Sequence, residues 1–416
     1  MSPIDYFLEV LENFFLVKIF FIVYAALLVF NKLLFKKYLN GLLLLTFNSG
    51  IVFSVILDLY LSNRITLEKL SFFIFSDFLI YLIVLVIYFL FIRYNDKEKI
   101  YSALFFLNKK YFTLFAIWLV ISLIINLNNV SWDGSSRIEF QTAQWYSFVR
   151  IIAQIMTPIT GLIIIFNLYE KNYIKFSILF LLVIATSIST GSKSSFVLFF
   201  IEYFLIFRDI SVVKFTVRKK TYVTISFILF SFTLLNFVLL GVDLNGLFER
   251  IVHYAESTIM IFPSTNPCKV CQDQSLLSLM HRGFARLFGD KSAINIDSLF
   301  GFALSAEYYG ANTFTGPNAR IGSYTLCAFP GFKIFIMYFV FIVFISFNYL
   351  LITVTSIKYK FLFITSILLF FHGIQQFILD YNTAMSDFTI ILFILLFLFI
   401  KLIITMSPSS KIYSIK

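Results

Sequence analysis

Residues 70–91, LSFFIFSDFLIYLIVLVIYFLF, decide the fold class: across this whole run the one charged side chain is Asp77. A helix that crosses a bilayer needs about 20 mostly apolar residues. Stretches of this kind recur from end to end of the chain. The 416 residues are 60% hydrophobic and 13% charged, with mean hydropathy +0.91. A soluble domain carries roughly 25% charged residues, so the composition excludes a water-soluble fold.

The pattern predicts eleven spans, at 14–35, 41–62, 70–91, 111–127, 148–169, 176–190, 195–207, 221–242, 332–356, 361–378 and 388–406. The expected fold is therefore an all-α polytopic integral membrane protein forming a single transmembrane domain, 1–416. One large periplasmic loop, 243–331, is inserted between the eighth and ninth spans. Few charges fall inside spans: Lys18, Asp58, Asp77 and Glu202.

The net charge of +11 is unevenly placed. Alternate connections hold Lys32, Lys36 and Lys37, then Arg93 to Lys110, Lys171 and Lys175, Arg208 to Lys220, Lys358 and Lys360, and the tail Lys411 and Lys416. The positive-inside rule assigns this set to the cytoplasm. It puts the N-terminus and the large loop outside and the C-terminus inside. The excess charge reports topology and calls for no nucleic-acid partner. Met1 to Asn13 lacks the basic start of a secretory signal.

The large loop has patterning of its own. Residues 243–260 place Leu247, Phe248, Ile251, Val252 and Ala255 on one face and Glu249, Arg250, His253 and Glu256 on the other, which predicts an amphipathic helix at the membrane surface. Residues 273–288 repeat it, with His281, Arg282 and Arg286 on the polar side. Arg282 and Arg286 stand one turn apart, an arrangement that favours an anion between them. Cys268 and Cys271 form a C-x-x-C pair, and Cys327 lies near the loop's end. Outside the cell such a pair reads as a local disulfide, in the cytosol as a metal or redox site; no partner motif completes a zinc site.

Two short runs bear on anion handling. Gly191-Ser-Lys193-Ser-Ser195 sets backbone N–H groups, a helix start and a cation together; the alternative is a tight hairpin with a snorkelling lysine. Asn312-Thr-Phe-Thr-Gly-Pro-Asn-Ala-Arg320 turns at Gly316-Pro317 and brings Arg320 to the membrane edge with a fork suited to phosphate. Asn312, Thr315, Asn318 and Tyr324 offer amides and hydroxyls to sugars, or simply cap a turn. Candidate bases are Glu307, His253 and His281, each equally at home as a solvated or interfacial residue. Asp297 and Asp380 are further isolated carboxylates, and His372 with Gln375 and Gln376 reads as interior packing.

At Gly191-Ser192-Lys193, the single large outer loop and the 312–320 run, the chain resembles the O-antigen (oligosaccharide repeat unit) polymerase family, often called Wzy. Lys193 stands where that hairpin commonly has Arg. The resemblance implies a glycosyltransferase at the periplasmic face of the bacterial inner membrane, working without cofactor or metal. Its substrates would be undecaprenyl-diphosphate-linked glycans in the membrane lipid, and its partners a chain-length regulator and a flippase. On that reading Lys193, Arg250, Arg282, Arg286 and Arg320 hold the diphosphate, Glu307, His253 or His281 takes the acceptor proton, and Asn312, Thr315, Asn318 and Tyr324 contact sugar. A flippase or transporter and an O-antigen ligase are the rival readings. Transporters tend to show repeated halves and broken helices at matching places, and no such halves are visible. The topology predicts that an alkaline-phosphatase fusion near residue 270 is active; an inactive fusion there, with an active cytoplasmic reporter at the same point, would reverse the orientation.

Overall fold

The computed structural model describes residues 15–36, 39–129, 146–189, 195–211, 255–264, 304, 320–328 and 334–406. With no water in a bilayer core, a spanning chain must satisfy its backbone groups internally, and no strand occurs among the described residues. The helices run α1 (Phe15–Phe35), a 3-10 turn at Asn40–Leu42, α2 (Leu43–Leu61), and α3 (Leu67–Phe73). A π turn at Ile74–Phe78 leads α3 into α4 (Leu79–Tyr94). There follow α5 (Lys97–Asn129), α6 (Tyr146–Tyr169), α7 (Tyr173–Ser189) and α8 (Ser195–Ile210). The short α9 (Glu256–Ile261) and α10 (Ile321–Ala328) precede α11 (Ile334–Lys358), α12 (Lys360–Leu379) and α13 (Tyr381–Met406).

Six segments are long and apolar enough to cross a membrane: 18–35, 40–61, 67–94, 97–129, 334–356 and 360–379. Shorter apolar helices lie at 155–169, 173–187 and 388–401. The chain is thus an α-helical, multi-pass membrane protein. Ten of the eleven expected spans coincide with described helices, and the eighth, 221–242, lies outside the described residues. The fourth differs in extent. Lys97 to Lys110, expected as connection, is the first part of α5, because Asp96 accepts from the Glu98 and Lys99 N–H groups at 3.1 Å each and starts the helix there. Those amide bonds, led by that of Lys99, also hold the Asp96 carboxyl below its usual range.

Successive rods alternate in direction, so the connections gather at two ends. One end is basic: Lys36, Arg93, Lys97, Lys99, Lys171, Lys175, Arg208 and Lys360 lie there. Its centre is Asp209, a buried carboxylate at the foot of α8. Oδ1 accepts from the Asn40 side chain at 2.7 Å, and Oδ2 from the Gly41 N–H and the Tyr88 hydroxyl at 2.9 Å each. Lys97 Nζ reaches the Asp209 carbonyl at 2.9 Å. Gly41 has no alternative, since a Cβ would overlap the Tyr88 hydroxyl. These bonds tie the α1–α2 turn, α4 and α8 into one knot.

The core is aromatic and continuous. Phe53 meets Phe73, Phe78 and Tyr81 edge-on, at 5.4, 5.3 and 5.8 Å between ring centres, a favoured geometry. Where α11 crosses α12, Gly373 lets the Phe344 ring lie against the backbone, a use of small residues general to membrane helices. Asp209→Ala strands three donors at a buried site and is expected to cost about 3 kcal/mol. Thermal unfolding in detergent measures this; a melting point equal to that of Glu98→Ala, an exposed site at the same end, would refute the knot.

Candidate functional site

The other end holds a buried ion pair. Asp77 sits ten residues after the start of α3, about 15 Å along the helix, yet it is a carboxylate with no solvent exposure. The helix around it is not regular: Ile74–Phe78 is a π turn, a single-turn widening frequent at functional sites. The widening frees the Phe75 carbonyl, which accepts from the Tyr338 hydroxyl of α11, and aims Asp77 inward.

Asp77 grips α10. Its Oδ2 accepts from the Gly322 N–H at 3.0 Å, and its Oδ1 faces Arg320 Nη2 at 3.6 Å, both side chains being 1% exposed. A carboxylate against the first N–H groups of a helix matches the sign of the helix dipole. The approach requires glycine: a Cβ at 322 would stand 2.6 Å from Asp77 Oδ2 and 3.3 Å from Ser76 Oγ. At 3.6 Å the pair is an ion pair without a hydrogen bond. Arg320 Nε, Nη1 and Nη2 find no hydrogen-bond partner among the described residues, nor do Ser76 Oγ, Ser257 Oγ and Tyr381 Oη. Coulomb attraction at this distance is about 4 kcal/mol at an effective dielectric of 20, and burial of two ions costs several kcal/mol each. The pair therefore fixes geometry more than it adds stability.

Two described pieces of the large loop, α9 and α10, are buried in the bundle. The expected surface helix is corrected over 256–261: α9 is buried along its whole length, Glu256 included at 8% exposed. The reason lies in its neighbours. Ala255, Ile259 and Phe262 join Ile51, Val55, Leu59 and Phe73 in one apolar cluster. Lys69 Nζ donates to the Phe262 and Ser264 carbonyls at 2.6 and 2.7 Å, holding the chain just past α9. Thr258 and Ser323 hydroxyls meet at 3.3 Å and join α9 to α10. Such backbone is tolerated within a membrane bundle where protein surrounds it.

Of the candidate residues from sequence, Arg320 and Tyr324 are described, and the structure brings them together. Tyr324 follows Arg320 by one turn, its N–H donating to the Arg320 carbonyl at 2.9 Å. Its buried ring stacks on Tyr381 with centres 4.8 Å apart. Arg320, expected at the membrane edge, is instead enclosed. Glu307, His253, His281, Lys193, Arg250, Arg282, Arg286, Asn312, Thr315 and Asn318 lie outside the described residues, as do Cys268, Cys271 and the 273–288 helix. Cys327, on α10, is disulfide-bonded. Sequence reasoning counted Asp77 as a stray intramembrane charge and passed over Ser76, Ser257 and Tyr381. The signal was there for Asp77, since an ionisable residue inside a span is a functional hypothesis by default. At the other end of the interior, Gln375 donates to the Gly41 carbonyl at 3.2 Å, so it packs the core as expected.

No family model, curated protein or solved structure matches the chain. Among the described residues no group of His, Cys, Asp and Glu has the arrangement of a metal site. Gly322→Ala forces the Asp77 carboxylate to retreat and is expected to cost about 1–3 kcal/mol. Tyr381→Phe removes a hydroxyl without a partner and should be neutral or stabilising. Melting points of the two variants in detergent check both, and the reverse order would sink this description of the site.

Proposed function

We propose that the chain is a glycosyltransferase that joins undecaprenyl-diphosphate-linked oligosaccharide units into surface polysaccharide, an O-antigen or capsule polymerase. It works at the periplasmic face of the bacterial inner membrane, with eleven spans, the N-terminus outside and the C-terminus in the cytoplasm. The observation that carries the reading is Arg320: a guanidinium sealed from water at the end of the bundle opposite the basic one, its donors without a hydrogen-bond partner among the described residues. Five N–H groups in a planar fork match the oxygens of a phosphate.

The chemistry follows from the substrate. The acceptor sugar's hydroxyl oxygen forms a bond to the anomeric carbon of the donor. The bond from that carbon to the carrier diphosphate breaks, and its electron pair leaves with the diphosphate. Positive charge placed where that negative charge develops lowers the barrier. Arg320, with Arg286 and Lys193, is assigned that part, Arg250 and Arg282 supplementing it. Glu307, His253 or His281 takes the acceptor proton, while Asn312, Thr315, Asn318 and Tyr324 read sugar. A dry site suits the reaction, because water is the competing acceptor.

Two features support the orientation. The basic residues gather at the opposite end, as cytoplasmic loops require, whereas the described part of this end holds Arg64, Lys69 and Arg320, with Lys18 in the first turn of α1. The disulfide at Cys327 belongs in an oxidising compartment. A chain-length regulator and a flippase are the expected partners.

Arg320→Lys keeps the charge and loses the fork; with Arg286→Ala it is expected to leave the protein inserted and to abolish long-chain polymer in cells. A normal polymer ladder from each single variant would overturn the assignment. Deletion of the gene separates the rival functions: a single repeat unit on the surface lipid marks a polymerase, loss of all surface glycan a flippase, and polymer retained on the carrier a ligase.

A further inference from the structure

We infer that Asp77 is a built-in counter-anion for Arg320: it stands in for the carrier diphosphate while the site is empty, and its charge opposes retention of that diphosphate afterwards. The inference rests on the reading of Arg320 as a diphosphate site. Four observations carry it. Both side chains are enclosed, so an unaccompanied guanidinium there would be a bare charge in a dry medium. The carboxylate is fixed independently of Arg320, by the Gly322 N–H at 3.0 Å and by the π turn that carries it. It balances the guanidinium through Nη2 at 3.6 Å, and Nε and Nη1 have no hydrogen-bond partner among the described residues. Finally, the Ser76 hydroxyl stands buried beside Gly322 with no hydrogen-bond partner among the described residues.

These features distinguish the pair from a salt bridge built for rigidity. There, a bidentate hydrogen-bonded fork would satisfy both partners. Here the carboxylate engages one edge of the guanidinium only. Asp77 supplies the countercharge and leaves the other edge for a ligand. An arriving diphosphate meets the remaining donors but must share the cation with a carboxylate anchored to the Gly322 N–H. Binding is therefore weaker than the guanidinium alone would give. That weakening is useful to an enzyme whose product, the free carrier diphosphate, must depart before the next unit enters. Nothing in this role requires Asp77 to touch the reacting atoms; it acts on Arg320.

The sign of the effect makes the test. Asp77→Asn keeps the shape and an acceptor for the Gly322 N–H but removes the charge. A structural salt-bridge role predicts lower stability and nothing more. The counter-anion role predicts lower stability without ligand together with tighter anion binding. Full-length protein in nanodiscs would be titrated with inorganic pyrophosphate, reading the rise in melting temperature. The expected result is an apparent affinity for Asp77→Asn about tenfold or more above wild type, given one unit charge removed a few ångströms from the site. Asp77→Glu should stay near wild type. Gly322→Ala, which displaces the carboxylate without discharging it, should lie between them; it reads the same effect if the asparagine variant does not fold. Equal or weaker pyrophosphate binding in Asp77→Asn, or in Gly322→Ala when that is the variant available, overturns the inference and leaves the diphosphate site standing. Absence of any pyrophosphate effect in wild type and in every variant removes the diphosphate site itself.

Discussion

The organisation of this chain turns on one obligation: polar groups drawn into an apolar bundle must find partners inside it. Asp77 meets that obligation by reaching across to the start of α10, where Gly322 offers an N–H and Arg320 a charge. Around that contact α9 and α10, which lie between α8 and α11 in the chain, become interior elements. Lys69 does the same for the chain after α9 by donating to two carbonyls. A loop that would otherwise lie on the membrane is thereby drawn between the helices.

The two ends answer the same obligation differently. At the basic end three described donors, each a neutral group, meet the Asp209 carboxylate oxygens. At the other end the donors and acceptors outnumber the bonds made: Arg320, Ser76, Ser257 and Tyr381 keep unspent capacity.

Sequence revealed the fold class and most helix positions because a bilayer imposes both length and apolarity, and runs such as 70–91 cannot hide that signal. It misjudged what depends on contacts between distant segments. Residues 256–261 alternate polar and apolar like a surface helix, yet Ile259 and Phe262 find Ile51 and Phe73, and the whole turn is buried. The helix start at Asp96 is a local cue that the density of lysines concealed. Arg320 and Tyr324 were singled out from the run after Gly316-Pro317, as diphosphate and sugar contacts, and they lie one helical turn apart. Asp77 was visible as a residue but not as a partner, since nothing in the spacing of positions 77 and 320 connects them. The π turn that joins them has no mark in the sequence at all.

That turn also constrains the length of the third rod. The widened loop of backbone holds one residue more than an ordinary α turn would. Asp77 and the Phe75 carbonyl face α10 and α11, while Tyr81, Tyr88 and Val84 further along remain turned to the interior. Excising one residue here would yield a smoother helix and rotate everything beyond it by about 100°. Tyr88 would then swing away from Asp209 at the far side of the membrane. The irregular turn is thus a phase adjuster, keeping two distant polar attachments of one rod in register with each other.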